Sequence, residues 1–252
     1  MRQLPTTTLP VFVGVDLGWY GKPSGLAAVT GRVAELRLSA VVRVQGIPET
    51  IQWILSRTRD ADAVVAVDAP LVIPIQSGIR EAERHLNQQF RRYHAGCYPA
   101  NLGRPFAPYV LAFSRALEEQ GFQHGAEMSP RHPGRFQIEV HPHAATVSLF
   151  NLPQIIKYKR GRRAQRAKEL RRLRNLLRSR LPLLQPALHL SQLPRILEAG
   201  PLKPAEDQID AVLCAYIAAH WWFWGRQRNW VFGSLAEGYI VVPHWANATR
   251  QR

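Results

Sequence analysis

Two apolar runs in this chain end in the same way. Val11–Asp16 (VFVGVD) and Ala63–Asp68 (AVVAVD) are short, rich in β-branched residues and closed by an aspartate. The second is apolar throughout up to its aspartate, the pattern of a strand covered on both faces. Between them, Gly46-Ile47-Pro48 opens a helix, with Pro48 in the first turn, where its missing N–H is not needed. Ile47, Ile51, Ile54 and Leu55 give that helix its apolar face. A strand–helix–strand crossover lays the second run parallel to an earlier strand. If the two runs are neighbours, their aspartates stand about 5 Å apart at one sheet edge. A carboxylate away from water needs a cation, a hydrogen bond or a catalytic task. Singly, Asp16 or Asp68 could cap the next turn; a pair of them points instead to a site. Gly14 and Gly18 flank Asp16 and read as room for a metal and a phosphate to approach the backbone.

The remaining chain supplies more acids of this kind. Gly25–Thr30 is a second strand, and Gly31-Arg32 makes a tight turn into a third, Val33–Val44, whose alternation slips phase once. Ile79–His94 is helical, with Arg80, Arg84, Arg91 and Arg92 mostly off the apolar stripe. Ala95–Pro108 is a Gly- and Pro-rich loop, too long for a plain connector, that can lie over a site. Tyr109–Gln120 is a short helix, and Gly121–Gly134 is irregular. Arg135–Val140 is a strand carrying Glu139, a third acid at a strand end, with His141 and His143 beside it and a helix at Ala144–Phe150. His-x-His alone is weak evidence for a metal. The last long helix, Ala205–Phe223, starts with Glu206, Asp207 and Asp210 and is then apolar nearly all round. The helix dipole favours acids there, but Asp207 and Asp210 are three apart and share a face. Trp221, Trp222 and Trp224 pack at the core edge, with base stacking as the alternative. Asn229–Phe232 and Gly238–Val242 form a closing hairpin.

Charge points to the partner. The net charge is +15, and an anionic partner, nucleic acid first, follows from it. The most basic stretch is Lys157–Arg180, where Lys157, Lys159, Arg160, Arg162, Arg163, Arg166, Arg171 and Arg174 are among the cations facing the single acid Glu169. Leu170, Leu173, Leu177 and Leu181 recur at helical spacing, so this is an amphipathic helix with a basic face suited to phosphate. It has no aromatic anchors, which argues against a membrane surface. Leu181–Pro204 shows no period beyond a short turn near Arg195–Glu198. With 46% hydrophobic residues the chain can bury a full core. Cys97 and Cys214 form neither a disulfide framework nor a zinc cluster, which fits a reducing, cytoplasmic setting. No signal peptide is expected from MRQLPTTTLP, and Ala211–Trp224, broken by His220, is too short to span a bilayer. The expected organisation is one domain over 11–243, with insertions at about 80–134 and 157–204, a flexible tail at 1–10 and a basic tail at 244–252.

A three-strand meander, a helix, a parallel strand, more helices and strand, and a final acid-led helix resemble the ribonuclease H-like nuclease fold. That makes the expected fold class α/β: a mixed sheet of an antiparallel meander plus parallel strands, flanked by helices, with helical insertions. GVDLG is similar to the glycine-flanked aspartate of that superfamily, and DQIDAVLCAYIAAH is similar to the Asp-x-x-Asp-Ala helix of its Holliday-junction resolvase branch. More closely, GVDLGW, VAVDAPL, EVHPHAA, KYK and DQIDAVLCA resemble an uncharacterised family of predicted nucleases, domain-of-unknown-function family 429, over roughly residues 11–243. Where resolvases usually offer a glutamate after the fourth strand, this chain has Asp68, so junction specificity does not carry over.

The resemblance implies a nuclease dependent on Mg²⁺ or Mn²⁺ and acting on DNA or RNA. Asp16 would bridge two ions, and Asp68, Asp210 and Asp207 or Glu139 would complete an oxygen shell suited to hard cations. One ion would activate water and the other would stabilise the leaving oxygen. Lys157 or Lys159 would neutralise the phosphate, and the arginine helix would hold the backbone. The alternative is a non-catalytic nucleic-acid-binding protein on the same scaffold, but its acids would repel phosphate unless a cation intervened. An actin-like phosphotransferase, which also carries Asp-Leu-Gly, needs two such domains around a nucleotide; 252 residues with one strand–Asp–Gly unit are too few. No phosphate-binding loop is present either.

Overall fold

The computed structural model describes residues 9–32, 35–59 and 61–244. Strands β1 (Val11–Asp16), β2 (Ser24–Arg32) and β3 (Glu35–Val44) form the antiparallel meander. Helix α1 (Ile47–Thr58) crosses over to β4 (Ala63–Val67), which pairs parallel with β1. Then come α2 (Glu81–Phe90), α3 (Ala107–Glu119), the short β5 (Gln123–His124) and β6 (Arg135–Glu139), which lies parallel to β4. Helix α4 (Pro142–Phe150), the basic α5 (Arg163–Arg180) and edge strand β7 (Ala187–His189) follow. Helix α6 (Lys203–Trp224) and the hairpin β8 (Asn229–Ser234) to β9 (Gly238–Pro243) complete the chain. The seven strands of the main sheet lie in the order β5-β6-β4-β1-β2-β3-β7. This is the expected mixed α/β sheet, a meander joined to parallel strands and flanked by helices.

The sheet is covered on both faces, as the apolar runs require. Side chains alternate along a strand. Val13 and Val15 of β1, with Val65 and Val67 of β4, enter a core shared with α1 and α3. Phe12, Val64 and Ala66 enter the opposite core, built around α6 and α5. A third cluster joins α2 and α4 to the hairpin through Leu86, Phe90, Val147 and Ile240.

Helix α6 comes unusually close to the sheet. A Cβ on Gly14 would lie 1.9 Å from the Ala211 carbonyl oxygen and 2.2 Å from the Ala215 nitrogen. On Gly25 it would lie 2.0 Å from the Asp207 carbonyl oxygen. These glycines form the seat of the helix backbone. The reading of Gly14 and Gly18 as room for metal and phosphate is therefore corrected. Gly14 admits α6, and Gly18 lets its own turn close, since a Cβ there would lie 2.2 Å from the Lys22 carbonyl oxygen.

Other local expectations change for physical reasons. Gly31 and Arg32 pair with Leu36 and Glu35 as strand residues, so they are not the turn. The expected start of the third strand, Val33, lies outside the described residues. The slip in phase is a bulge: Ala28 faces Ala40 and Val29 faces Leu38, so Ser39 is the extra residue. The helix expected over 79–94 is α-helical only to Phe90 and tightens into a 3₁₀ turn over Arg91–Tyr93. The stretches without a period hold β5 and β7, edge strands of two and three residues, too short to show alternation. Most of the two tails, residues 1–8 and 245–252, also lies outside the described residues. No helix among the described residues is long and apolar enough to cross a membrane.

Replacing Gly14 by Ala should lower stability by more than about 2 kcal/mol, because the atoms obstructing the new methyl group are helix backbone that cannot rotate away. A urea midpoint equal to that of the parent chain, at unchanged slope, would contradict this packing.

Candidate active site

The pleat of the sheet decides where the acids go. Gly14 faces α6, so Asp16, two residues further along β1, falls on the same face. The same count from Val64 and Ala66 puts Asp68 there, just past the end of β4. Its backbone N–H donates to the Val15 carbonyl at 2.9 Å, which fastens it beside β1. The third acid, Asp210, is fully buried on α6, next to the Ala211 that presses on Gly14. Three elements thus deliver three carboxylates to one end of the sheet.

Each feels the charge of the others. Burial raises the Asp16 pKa well above the ordinary carboxylate value, and the charges of Asp210 and Asp68 raise it further, against the pull of Lys159 and Lys203. Burial likewise lifts Asp68 to about 6, with Lys159 opposing and Asp210 adding to the rise. Lys159 is the central cation, with Nζ 2.9 Å from Asp210 Oδ2. Burial works against its charge, but Asp210, then Tyr158, Asp16 and Asp68, hold it protonated and raise its pKa well above the usual lysine value. The Tyr158 hydroxyl donates to Asp210 Oδ1 at 2.5 Å, fixing that carboxylate from the other side.

The two remaining sequence candidates have partners of their own. Asp207 accepts from Arg43 Nε at 2.8 Å and is paired with Lys203 Nζ at 2.5 Å. One turn of helix separates it from Asp210, yet its side chain is tied to β3. Glu139 ends β6 and is gripped by both terminal nitrogens of Arg80, while it also accepts from the Leu71 N–H at 3.0 Å. Arg80 is itself buried and ion-paired to Glu83. Burial pushes Glu139 up to about 7 against the pull of Arg80. His141 and His143 are held neutral, first by burial and then by the nearby charge of Lys159; His141 falls to about 4. Sequence reading passed over Arg80 and Tyr158. Arg80 sits off an apolar stripe like its solvent-facing neighbours, and its one local signal is Glu83 three residues on.

A cleft of about 1130 Å³ opens onto this end of the sheet. Asp68, Lys159, Glu139, His141 and His143 line its inner wall. Lys157 and Arg160 stand exposed at its rim. The cations of α5 divide by role. Arg163 donates to the carbonyls of Leu197, Glu198 and Gly200, and Arg174 donates to that of Pro194. Arg166 joins the Tyr158 carbonyl and the Glu206 carboxylate. These three fasten the 190s segment and α6 to α5, whereas Arg162 and Arg171 are exposed. Trp221 and Trp222 lie in the core, their indole N–H groups donating to the carbonyls of Gly125 and His132.

The donor set is all carboxylate, the chemistry that suits Mg²⁺ or Mn²⁺. Among the described residues no three His, Cys, Asp or Glu side chains stand in a metal-holding arrangement. The Lys159 ammonium occupies the charge-neutralising place at Asp210 instead. The donor chemistry fits a divalent cation, and Asp16, Asp68 and Asp210 are the residues that would hold one. Asp68 holds its proton more tightly in the folded chain than in the unfolded one. This contribution to stability is present below the ordinary carboxylate pKa of about 4 and is lost as pH rises through about 6. The variant Asp68→Asn should lose that part of the pH dependence and exceed the parent in stability at neutral pH. Urea denaturation across this window measures both, and parallel curves for parent and variant would contradict the desolvation of Asp68.

A solved structure, that of RuvC from Thermus thermophilus, is similar to this chain at 17% identity and a TM-score of 0.37, covering 82% of this chain and 95% of that one. That likeness is too loose to carry chemistry across. None of the curated proteins matches the sequence. The model of the family described as "Protein of unknown function (DUF429)" matches residues 14–229, from Gly14 under α6 to the first residue of the hairpin. The chain belongs to that family.

Proposed function

We propose that this protein is a divalent-metal-dependent nuclease. The observation that carries the reading is the convergence of Asp16, Asp68 and Asp210, from β1, β4 and α6, beside a cleft whose exposed rim is basic. Of the three only Asp68 lines the cleft itself, and a cation held by the acids behind it would draw a phosphodiester toward them. Asp16, Asp68 and Asp210 would hold Mg²⁺ or Mn²⁺, which would supply a water nucleophile and charge stabilisation of the leaving oxygen. Tyr158 keeps Asp210 oriented. Lys159, held protonated, is free to turn from Asp210 to the phosphate when the carboxylates are otherwise neutralised. Glu139 and Asp207, fixed by Arg80 and by Arg43 with Lys203, act in this reading as supports rather than as ligands. Lys157, Arg160, Arg162 and Arg171 track the nucleic-acid backbone.

One observation favours a second reading. Lys159 already sits on Asp210, so the acids could be neutralised by protein alone, as in a non-catalytic binder. Calorimetric titration with Mn²⁺ separates the two. The nuclease reading expects a site lost in Asp16→Asn; the binder reading expects none.

Labelled DNA and RNA incubated with Mg²⁺ or Mn²⁺ should be cleaved, and Asp16→Asn should slow cleavage by roughly two orders of magnitude or more, the scale for losing one charge-stabilising group. Undiminished cleavage by the variant would sink the assignment. In binding measurements, Lys157→Ala and Arg162→Ala should each lower the slope of log affinity against log salt by about 1, whatever the sequence. An unchanged slope would remove that residue from the phosphate track.

A further inference from the structure

The same cleft carries two exposed aromatic rings that the chemistry above does not use. Tyr98 is 75% exposed and Trp19 40% exposed, and both line it. They come from different segments. Trp19 lies three residues past Asp16, and Tyr98 lies in the long loop between α2 and α3. A single exposed ring is ordinary on a protein surface, but two lining one cleft make an apolar feature of that cleft. Neither is loose. Trp19 stacks on Phe106 with centroids 4.6 Å apart and planes at 34°. The Tyr98 hydroxyl accepts from Arg160 Nη2 at 3.0 Å. Around them the exposed charged side chains on the cleft wall, Arg91, Lys157 and Arg160, are all cations.

Resting on the nucleic-acid reading of this cleft, we propose that it takes unpaired polynucleotide, with bases stacked on Tyr98 and Trp19. A duplex offers the protein phosphates and base edges, but the faces of its bases are buried in its own stack. Rings interleaved with cations are of use to a strand whose base faces are free. Lys157 and Arg160 hold the backbone, and Lys159 beside Asp68 marks where a phosphate meets the acids. A peptide of acidic residues alone would satisfy the cations equally well but brings no aromatic faces for the rings. The shared ligand chemistry is an unpaired base on a phosphodiester chain, in DNA or RNA.

The test is anisotropy titration of the full chain with labelled oligothymidylate, oligouridylate, an abasic strand and a duplex of equal length, in EDTA so that nothing is cleaved. Either single strand should bind at least about tenfold tighter than the duplex, and Tyr98→Ala should weaken that binding by roughly tenfold, the scale of one base–aromatic stack. Tyr98→Phe, which keeps the ring and loses the hydrogen bond to Arg160, should bind as the parent does. The abasic strand should not register the Tyr98→Ala change. Equal affinity for duplex and single strand, or an equal loss on the abasic strand, overturns the proposal. Because no metal is present, its failure is distinct from that of the nuclease reading. A chain that binds single strands through Tyr98 without cleaving keeps this assignment and loses the other. One that cleaves duplex and ignores Tyr98 loses only this one.

Discussion

The backbone of α6 rests directly on two glycines of the sheet, and the rest of the structure depends on that contact. Gly14 in β1 and Gly25 in β2 leave no room even for a methyl group beneath Asp207, Ala211 and Ala215. A helix pressed this close is screened from water along most of its length, which is why it must be apolar on nearly every side after its first turns. The same contact fixes its height and rotation against β1. Asp210 therefore sits over the end of the strand that carries Asp16. Larger side chains in the seat would move the third carboxylate away from the first.

Bringing like charges together where water is scarce is unfavourable, and the surroundings show how it is offset. Asp16 and Asp68 respond by favouring their protonated forms. Lys159 and Lys203 supply positive charge from the segment before α5 and from the start of α6. Around this cluster lies a fully engaged shell in which Arg80 grips Glu139 and Glu83, while Arg43 grips Asp207. Buried ion pairs of this kind add little net stability, but removing one partner leaves a stranded charge. Their effect here is to hold the end of β6, the turn after β4 and the start of α6 in fixed relation around the acids.

Much of this was legible because the strongest physical signals are periodic. The apolar runs before Asp16 and Asp68 announced buried parallel strands, and the acid-led apolar helix announced α6. Even the bulge at Ser39 showed as a slip in alternation. What escaped is what periodicity cannot carry. Strands of two and three residues, β5 and β7, complete no pattern. A buried arginine looks like an exposed one until its partner, Glu139, is brought from fifty-nine residues away. Asp207 and Asp210 share a helix face, and only the tertiary neighbours separate them, Arg43 for one and Lys159 with Tyr158 for the other. The glycines illustrate the same limit. Close backbone approach was legible at Gly14, but whether a ligand or a helix made the approach was not.

The basic segment shows why a charge total is a poor map of a binding surface. Read as a sequence, Lys157–Arg180 is one cationic face. In the fold, Arg163 and Arg174 spend their donors on backbone carbonyls of the 190s, and Arg166 links Tyr158 to Glu206. A guanidinium committed to carbonyls in this way still contributes to the long-range field but offers few free donors to a phosphate. Arg166 also links the Tyr158 segment to α6. It anchors the backbone of Tyr158, whose hydroxyl orients Asp210, and it pairs with Glu206 on the same helix as that acid. The arginine-rich helix thus bears on the carboxylates through the packing it fixes. It holds the Lys157–Arg160 segment against α6 so that Lys159 faces inward to the acids, while Lys157 and Arg160 face the open cleft.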